Sequence, residues 1–176
     1  NHKLCELFGL SSNKKVRAPE LLKEFLDRGE NHPHGWGISW YVNDFLAGVV
    51  KEPVAAPQSK VARFLAEKVE SNLVIAHIRK MSTGSYLSYS NTHPFVRTLW
   101  NRDLVFAHNG DVPEVKSNKD YELKTCVPSG DTDSEHAFCF IIEKLSAIND
   151  RDQKVLARAI WELAERIGRL GKFNFL

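Results

Sequence analysis

No stretch of this sequence is apolar for long enough to cross a bilayer, and the opening Asn1-His2-Lys3-Leu4 lacks the apolar core of a signal peptide. A cytoplasmic protein with no membrane partner is therefore expected. A dominant charge is missing too. The 24 Lys and Arg stand against 22 Asp and Glu, a formal net charge of +2, so nothing electrostatic calls for nucleic acid. A small-molecule partner is favoured instead. Cysteine is scarce: Cys5, Cys126 and Cys139 are widely spaced and odd in number, which fits neither a disulfide framework nor a paired-cysteine zinc site. Repeats, low-complexity tracts and flexible linkers are also lacking, so 176 residues with 43% hydrophobic side chains read as one α+β or α/β domain able to bury a core.

What is present orders itself into short elements. Leu4 to Leu10 partly alternates and reaches Ser11-Ser12-Asn13, predicting a short strand with Cys5 at its end. Pro19 opens a helix of about residues 19–28, with Leu21, Leu22, Phe25 and Leu26 on one face and Gly29 as its stop. Ile38–Val42 and Phe45–Val50 read as a hairpin turned by Asn43-Asp44. Gln58–Val69 fits an amphipathic helix with Val61, Ala62, Leu65 and Val69, and Leu73–Ala76 a buried strand that delivers His77 and Arg79. After a polar loop from Ser82 to Pro94, Leu104–Ala107 makes a second buried strand ending in His108-Asn109-Gly110-Asp111. Residues 112–131 read as loop. Thr132 with Glu135 forms a capping box for a helix carrying Phe138, Ile141, Ile142 and Leu145, and a further helix covers about 152–168. Phe173–Leu176 looks like the start of a strand left without neighbours, so the chain is expected to be truncated there.

Several residues carry chemistry beyond packing. A cysteine near an amino terminus gains its own base if it becomes the first residue, because the α-amine has a reference pKa of about 7.7 to 8.0 beside about 8.5 for the thiol. Cys139, inside a Phe- and Ile-rich helix, reads as core, and Cys126 as an ordinary loop thiol, neither with a visible partner. Arg79 offers a planar fork for a carboxylate, or is simply a surface arginine. Asn109-Gly110 is either a tight turn or a side-chain amide beside an unobstructed N–H, two donors for one oxyanion. Asp133 suits the positive helix end and could equally hold a substrate ammonium. His93, fixed by Pro94, lines a pocket or bonds a backbone. The spacing of His77, His93 and His108 matches no usual zinc motif, and Gly35-Trp36-Gly37 is a close-packed strand entrance rather than a phosphate loop. No metal or cofactor is called for.

Taken in order, Cys5-Glu6-Leu7-Phe8-Gly9, His34-Gly35-Trp36-Gly37-Ile38, Ala76-His77-Ile78-Arg79, Asn91-Thr92-His93-Pro94-Phe95, Ala107-His108-Asn109-Gly110 and Gly130-Asp131-Thr132-Asp133-Ser134-Glu135 resemble the class II glutamine amidotransferases. The similarity is best to stand-alone bacterial and archaeal members, relatives of the ergothioneine-pathway amidohydrolase and the glutathione-degrading amidase. It implies an α+β, N-terminal-nucleophile hydrolase fold, a four-layer αββα sandwich of two mostly antiparallel sheets between helical layers. It also implies that Cys5 attacks the side-chain amide of a glutamine or γ-glutamyl substrate, giving a thioester and releasing ammonia or an amine. By the same resemblance Asn109 and Gly110 form the oxyanion hole, Arg79 binds the α-carboxylate, Asp133 the α-ammonium, and His93 lines the pocket.

The departures bear on activity. In the glucosamine-forming and purine-pathway relatives a tryptophan follows the arginine and a histidine lies further along the loop; here Lys80 and Thr83 occupy those places, implying a different pocket or lid. No part of the chain is left for a synthase domain, so an ammonia acceptor would be a separate subunit. Residues 1–4 are expected to be an expression leader or propeptide ahead of an amidotransferase domain of residues 5–176, with activity only once Cys5 is the first residue. A non-catalytic γ-glutamyl or amino-acid sensor, or an assembly subunit of a synthase, are the competing expectations; a papain-like protease is disfavoured because nothing around Cys5 reads as helix.

Overall fold

The computed structural model describes residues 5–81 and 86–176, so the leader Asn1–Leu4 and Thr83 lie outside the described residues. The chain divides into two compact units, one of residues 1–109 with 175–176 and the other of residues 110–174.

The first unit is built on a four-stranded sheet, and every registered pair in it is antiparallel. Its strands are β1 (Glu6–Val16), β2 (Trp36–Tyr41), β3 (Ala47–Glu52) and β4 (Ser71–Ile78), in the order β1-β4-β2-β3. The pleat sends Phe8, Leu10, Trp36, Ile38, Val74, Ala76 and Ile78 to one face. There they meet Leu22, Phe25 and Leu26 of α1 (Pro19–Asp27) and Ala62 and Ala66 of α2 (Lys60–Lys68) in a single apolar cluster. Pro19 starts α1 as expected, and the Ser59 hydroxyl caps α2 by accepting from the Ala62 N–H. Not every apolar residue assigned to these helix faces is buried: Leu21 is 57% and Val61 43% exposed. Nor does Gly29 stop α1. It lies in a 3₁₀ turn, Arg28–Asn31, where an added β-carbon would press on Ala56 and Pro57.

β1 runs past the turn expected at Ser11–Asn13, with a register shift between Ser11 and Val16. A second pair, β5 (Phe95–Leu99) with β6 (Arg102–Phe106), is antiparallel and turns through Trp100 and Asn101, both at positive φ. β5 escaped the sequence reading because only its ends, Phe95 and Leu99, are large and apolar.

His108-Asn109-Gly110-Asp111 is not a turn. It forms β7 (His108–Asp111), which pairs with β8 (Lys172–Phe175), so the terminal strand has a neighbour after all. In the second unit, 3₁₀ turns at Pro113–Lys116 and Lys119–Tyr121 interrupt the expected loop before α3 (Asp133–Ser146) and α4 (Gln153–Gly168). Thr132 caps α3 by accepting from the Glu135 N–H, while the Glu135 carboxylate accepts from the Ser129 and Gly130 amides. Among the described residues no helix is long and apolar enough to cross a membrane.

Candidate active site

Three strands of the first unit end at one edge of the sheet. The ladders pair Ile78 with Glu6 on one side and with Trp36 on the other. One step further out, Cys5 therefore faces Arg79, and Gly35 closes from the opposite side. The Arg79 N–H donates to the Gly35 carbonyl at 2.7 Å, and the His34 N–H to the Arg79 carbonyl at 3.1 Å. The next amide, Lys80 N–H, donates to Cys5 Sγ at 3.3 Å, while the thiol donates to the Lys80 carbonyl at 3.4 Å. The amide donor favours the thiolate and the carbonyl acceptor the thiol, the charge-assisted bond to the anion being the stronger of the two. Arg79 is only 4% exposed, so the surface-arginine alternative fails; its Nη1 donates to the Tyr86 carbonyl at 3.2 Å.

Behind this edge lie three buried histidines. His77 and His93 stack with ring centroids 4.2 Å apart, and His77 Nε2 is 3.2 Å from the His108 carbonyl. A carbonyl only accepts, so His77 carries its proton on Nε2. Burial holds His77 neutral, lowering its pKa to about 3, against the upward pull of the His108 carbonyl. Burial likewise pushes His93 well below its ordinary value, reinforced by the neighbouring positive charges. Neither ring nitrogen of His93 has a hydrogen-bond partner among the described residues. Its backbone is held firmly: a β-carbon at Gly37 would overlap the His93 carbonyl, and Lys51 Nζ donates to the carbonyls of Thr92 and Pro94 at 2.5 and 3.1 Å. Through the His77–His108 bond, β4, which delivers Arg79, is tied to the residue preceding Asn109. Among the described residues no group of three His, Cys, Asp or Glu side chains could hold a metal ion.

In the second unit, Asp133 opens α3. Its Oδ2 accepts from the Val112 N–H at 2.6 Å and its Oδ1 from the Ser134 N–H at 2.8 Å. The carboxylate is thus fixed two residues beyond Gly110 and keeps acceptor capacity for a cation. Cys126 and Cys139, expected to lack partners, form a disulfide with Cα atoms 5.4 Å apart. The reason lies in Glu143. Its Oε1 accepts from the backbone N–H groups of Lys124, Thr125 and Cys126, folding that loop back onto α3. Burial alone would raise the Glu143 pKa, but these bonds together bring it below the usual carboxylate value.

Cys5 and Arg79 are thus adjacent, His93 is built into the same unit, and Gly110 and Asp133 are joined through Val112. Sequence reasoning missed the Lys80 amide and the His34 ring. A backbone amide leaves no side-chain signal; His34 was visible only as part of a motif.

The sequence profile described as "Glutamine amidotransferases class-II" matches residues 4–176. The chain is 44% identical to uncharacterized protein MJ1515 of Methanocaldococcus jannaschii over 174 residues, 98% of this chain and 48% of that protein. It therefore spans about half the length of that relative. The 2.0 Å crystal structure of a predicted glutamine amidotransferase from Pseudomonas aeruginosa PA01 superposes with a TM-score of 0.67 at 29% identity, over 98% of this chain and 68% of that one. Glutamine phosphoribosylpyrophosphate amidotransferase from B. subtilis gives a TM-score of 0.66 at 19% identity, over 97% of this chain and 34% of that one. At that identity the likeness shows the fold alone, that of the N-terminal-nucleophile hydrolases.

Proposed function

Because the chain belongs to the class II glutamine amidotransferases, we propose that it cleaves the side-chain amide of glutamine or of a γ-glutamyl compound through a thioester on Cys5. The observation that carries this reading is the opposition of Cys5 and Arg79 at one sheet edge, with the Lys80 amide on the sulfur. With Cys5 as the first residue, its α-amine takes the thiol proton as sulfur attacks the amide carbon. The amine then returns the proton to the leaving nitrogen as the carbon–nitrogen bond breaks. Water, losing a proton to the amine, adds to the thioester carbon; the carbon–sulfur bond then breaks, the departing thiolate regains that proton, and the γ-carboxylic acid product is released.

Asn109, through its side-chain amide, and Gly110, through its N–H, stabilise the two tetrahedral oxyanions. Arg79 and Asp133 select an amino-acid end by opposite charges, and His93 lines the pocket. The released ammonia or amine leaves to solvent or to a separate synthase.

The test compares a chain that begins at Cys5 with its Asn109→Ala variant on glutamine and a panel of γ-glutamyl amides. Hydrolysis by the first and a loss of about 10²- to 10³-fold in kcat for the second are expected. If no γ-glutamyl amide is cleaved, the catalytic reading fails; retained substrate binding would then favour a sensor.

A further inference from the structure

The segment that leaves β4 is clamped from both sides, and one clamp is a side chain with no role so far. Successive N–H groups of an extended chain point to opposite neighbours. Those of Arg79 and Met81 point toward β2, and that of Lys80 points toward β1. Arg79 finds a backbone partner in the Gly35 carbonyl, but Met81 does not. Its N–H donates instead to His34 Nδ1 at 2.9 Å. The imidazole supplies the acceptor that another ladder carbonyl would have given.

We propose that His34 is a positioning residue for Cys5, its Nδ1 fixing residues 79–81 so that the Lys80 amide stays on the sulfur. This rests on the amide-cleaving reading only in taking Cys5 as the nucleophile. The geometry excludes the alternative in which His34 is itself the base at Nδ1, because that lone pair already accepts from Met81. An acceptor at Nδ1 requires the neutral ring with its proton on Nε2. Partial burial lowers the ring's pKa, as do the charges of Arg79 and Lys80, in the direction that favours the neutral form. Loosening the Met81 end would let Lys80 rotate away, and the sulfur would lose both its carbonyl acceptor and its amide donor, of which the charge-assisted donor bond to the thiolate is the stronger.

An asparagine at position 34 can place Oδ1 where Nδ1 lies, whereas leucine has the same branching without an acceptor. The test therefore compares His34→Asn with His34→Leu in the full chain. The readout is the rate at which iodoacetamide alkylates Cys5 between pH 6 and 9, located by peptide mass. His34→Leu is expected to slow alkylation about tenfold at neutral pH and to raise the apparent thiol pKa, the size expected for one lost hydrogen bond. His34→Asn is expected to stay within about twofold of the parent. Parent-like alkylation in a folded His34→Leu, or an equal loss in both variants, overturns the proposal. Should the variants not fold, the ¹⁵N spectrum of the parent imidazole decides. Protonation on Nε2 is expected, and protonation on Nδ1 overturns the proposal. Alkylation needs no turnover, so a parent that cleaves no amide would sink the functional reading while leaving this result intact.

Discussion

The two faces of the four-stranded sheet share the same strands yet differ in kind. One face sends Phe8, Leu10, Trp36, Ile38, Val74, Ala76 and Ile78 into a dry cluster under α1 and α2. The other mixes Leu7, Leu73 and Ile75 with Gly9, Ser11, Ser39, Tyr41 and His77, and Cys5 and Arg79 continue its alternation at the edge. That second face borders an apolar-walled cavity of about 380 Å³ completed by Val105 and Leu176. The pleat thus alternates the dry core with the face that holds the proposed nucleophile, residue by residue. Neighbours such as Gly37 and Ile38 answer to different constraints.

That separation can be broken experimentally. Cys5→Ala should lower kcat for amide cleavage by about 10⁴-fold or more in a chain that otherwise starts at Cys5. Its thermal midpoint should barely move, and a large drop would show that the second face is structural after all. On the first face, Ile38→Ala should cost about 2 to 5 kcal/mol in urea unfolding while leaving turnover per folded molecule intact. Loss of specific activity without loss of stability would erase the distinction.

Acid should act through the second face. Folding depresses the His77 pKa to about 3, so below the unfolded value of about 6.5 the unfolded chain binds the extra proton. Stability contributed by the neutral ring is therefore fully present above about pH 6.5 and is lost as pH falls toward about 3. The expected slope for this group is on the order of 1 kcal/mol per pH unit, read from urea midpoints at successive pH values. A flat profile through that window would mean the ring is not buried neutral. The smallest effect is expected at His93. His93→Phe keeps the stack on His77 but removes two ring nitrogens without partners among the described residues. Stability should hold or rise by about 1 kcal/mol while kcat/KM falls, a trade typical of functional polar groups in a buried setting.

The helices and the strand delivering Arg79 were legible from local signals: Pro19 opens α1, Thr132 caps α3, and Leu73–Ala76 is a continuous apolar run, although Leu73 itself is 41% exposed. The family was legible as an ordered set of motifs. Asn109-Gly110 was ambiguous because the same pair serves a tight turn or offers two donors to an oxyanion, and the pairing of β7 with β8 removes the turn. The Cys126–Cys139 link was hidden because a carboxylate 17 positions from Cys126 bends the loop. His34 was hidden for a related reason: its importance lies in which amide its lone pair meets, and that depends on the exit angle of another strand.

The pinning of His93 bears on how this scaffold diversifies. Lys51 holds the carbonyls on either side of His93, and Gly37 admits its backbone against the sheet. Length changes in the loop ahead of Asn91 can be absorbed there, before the chain reaches that anchor. Residues upstream of Asn91 can thus change in descendants of this sequence while the His93 backbone keeps its place.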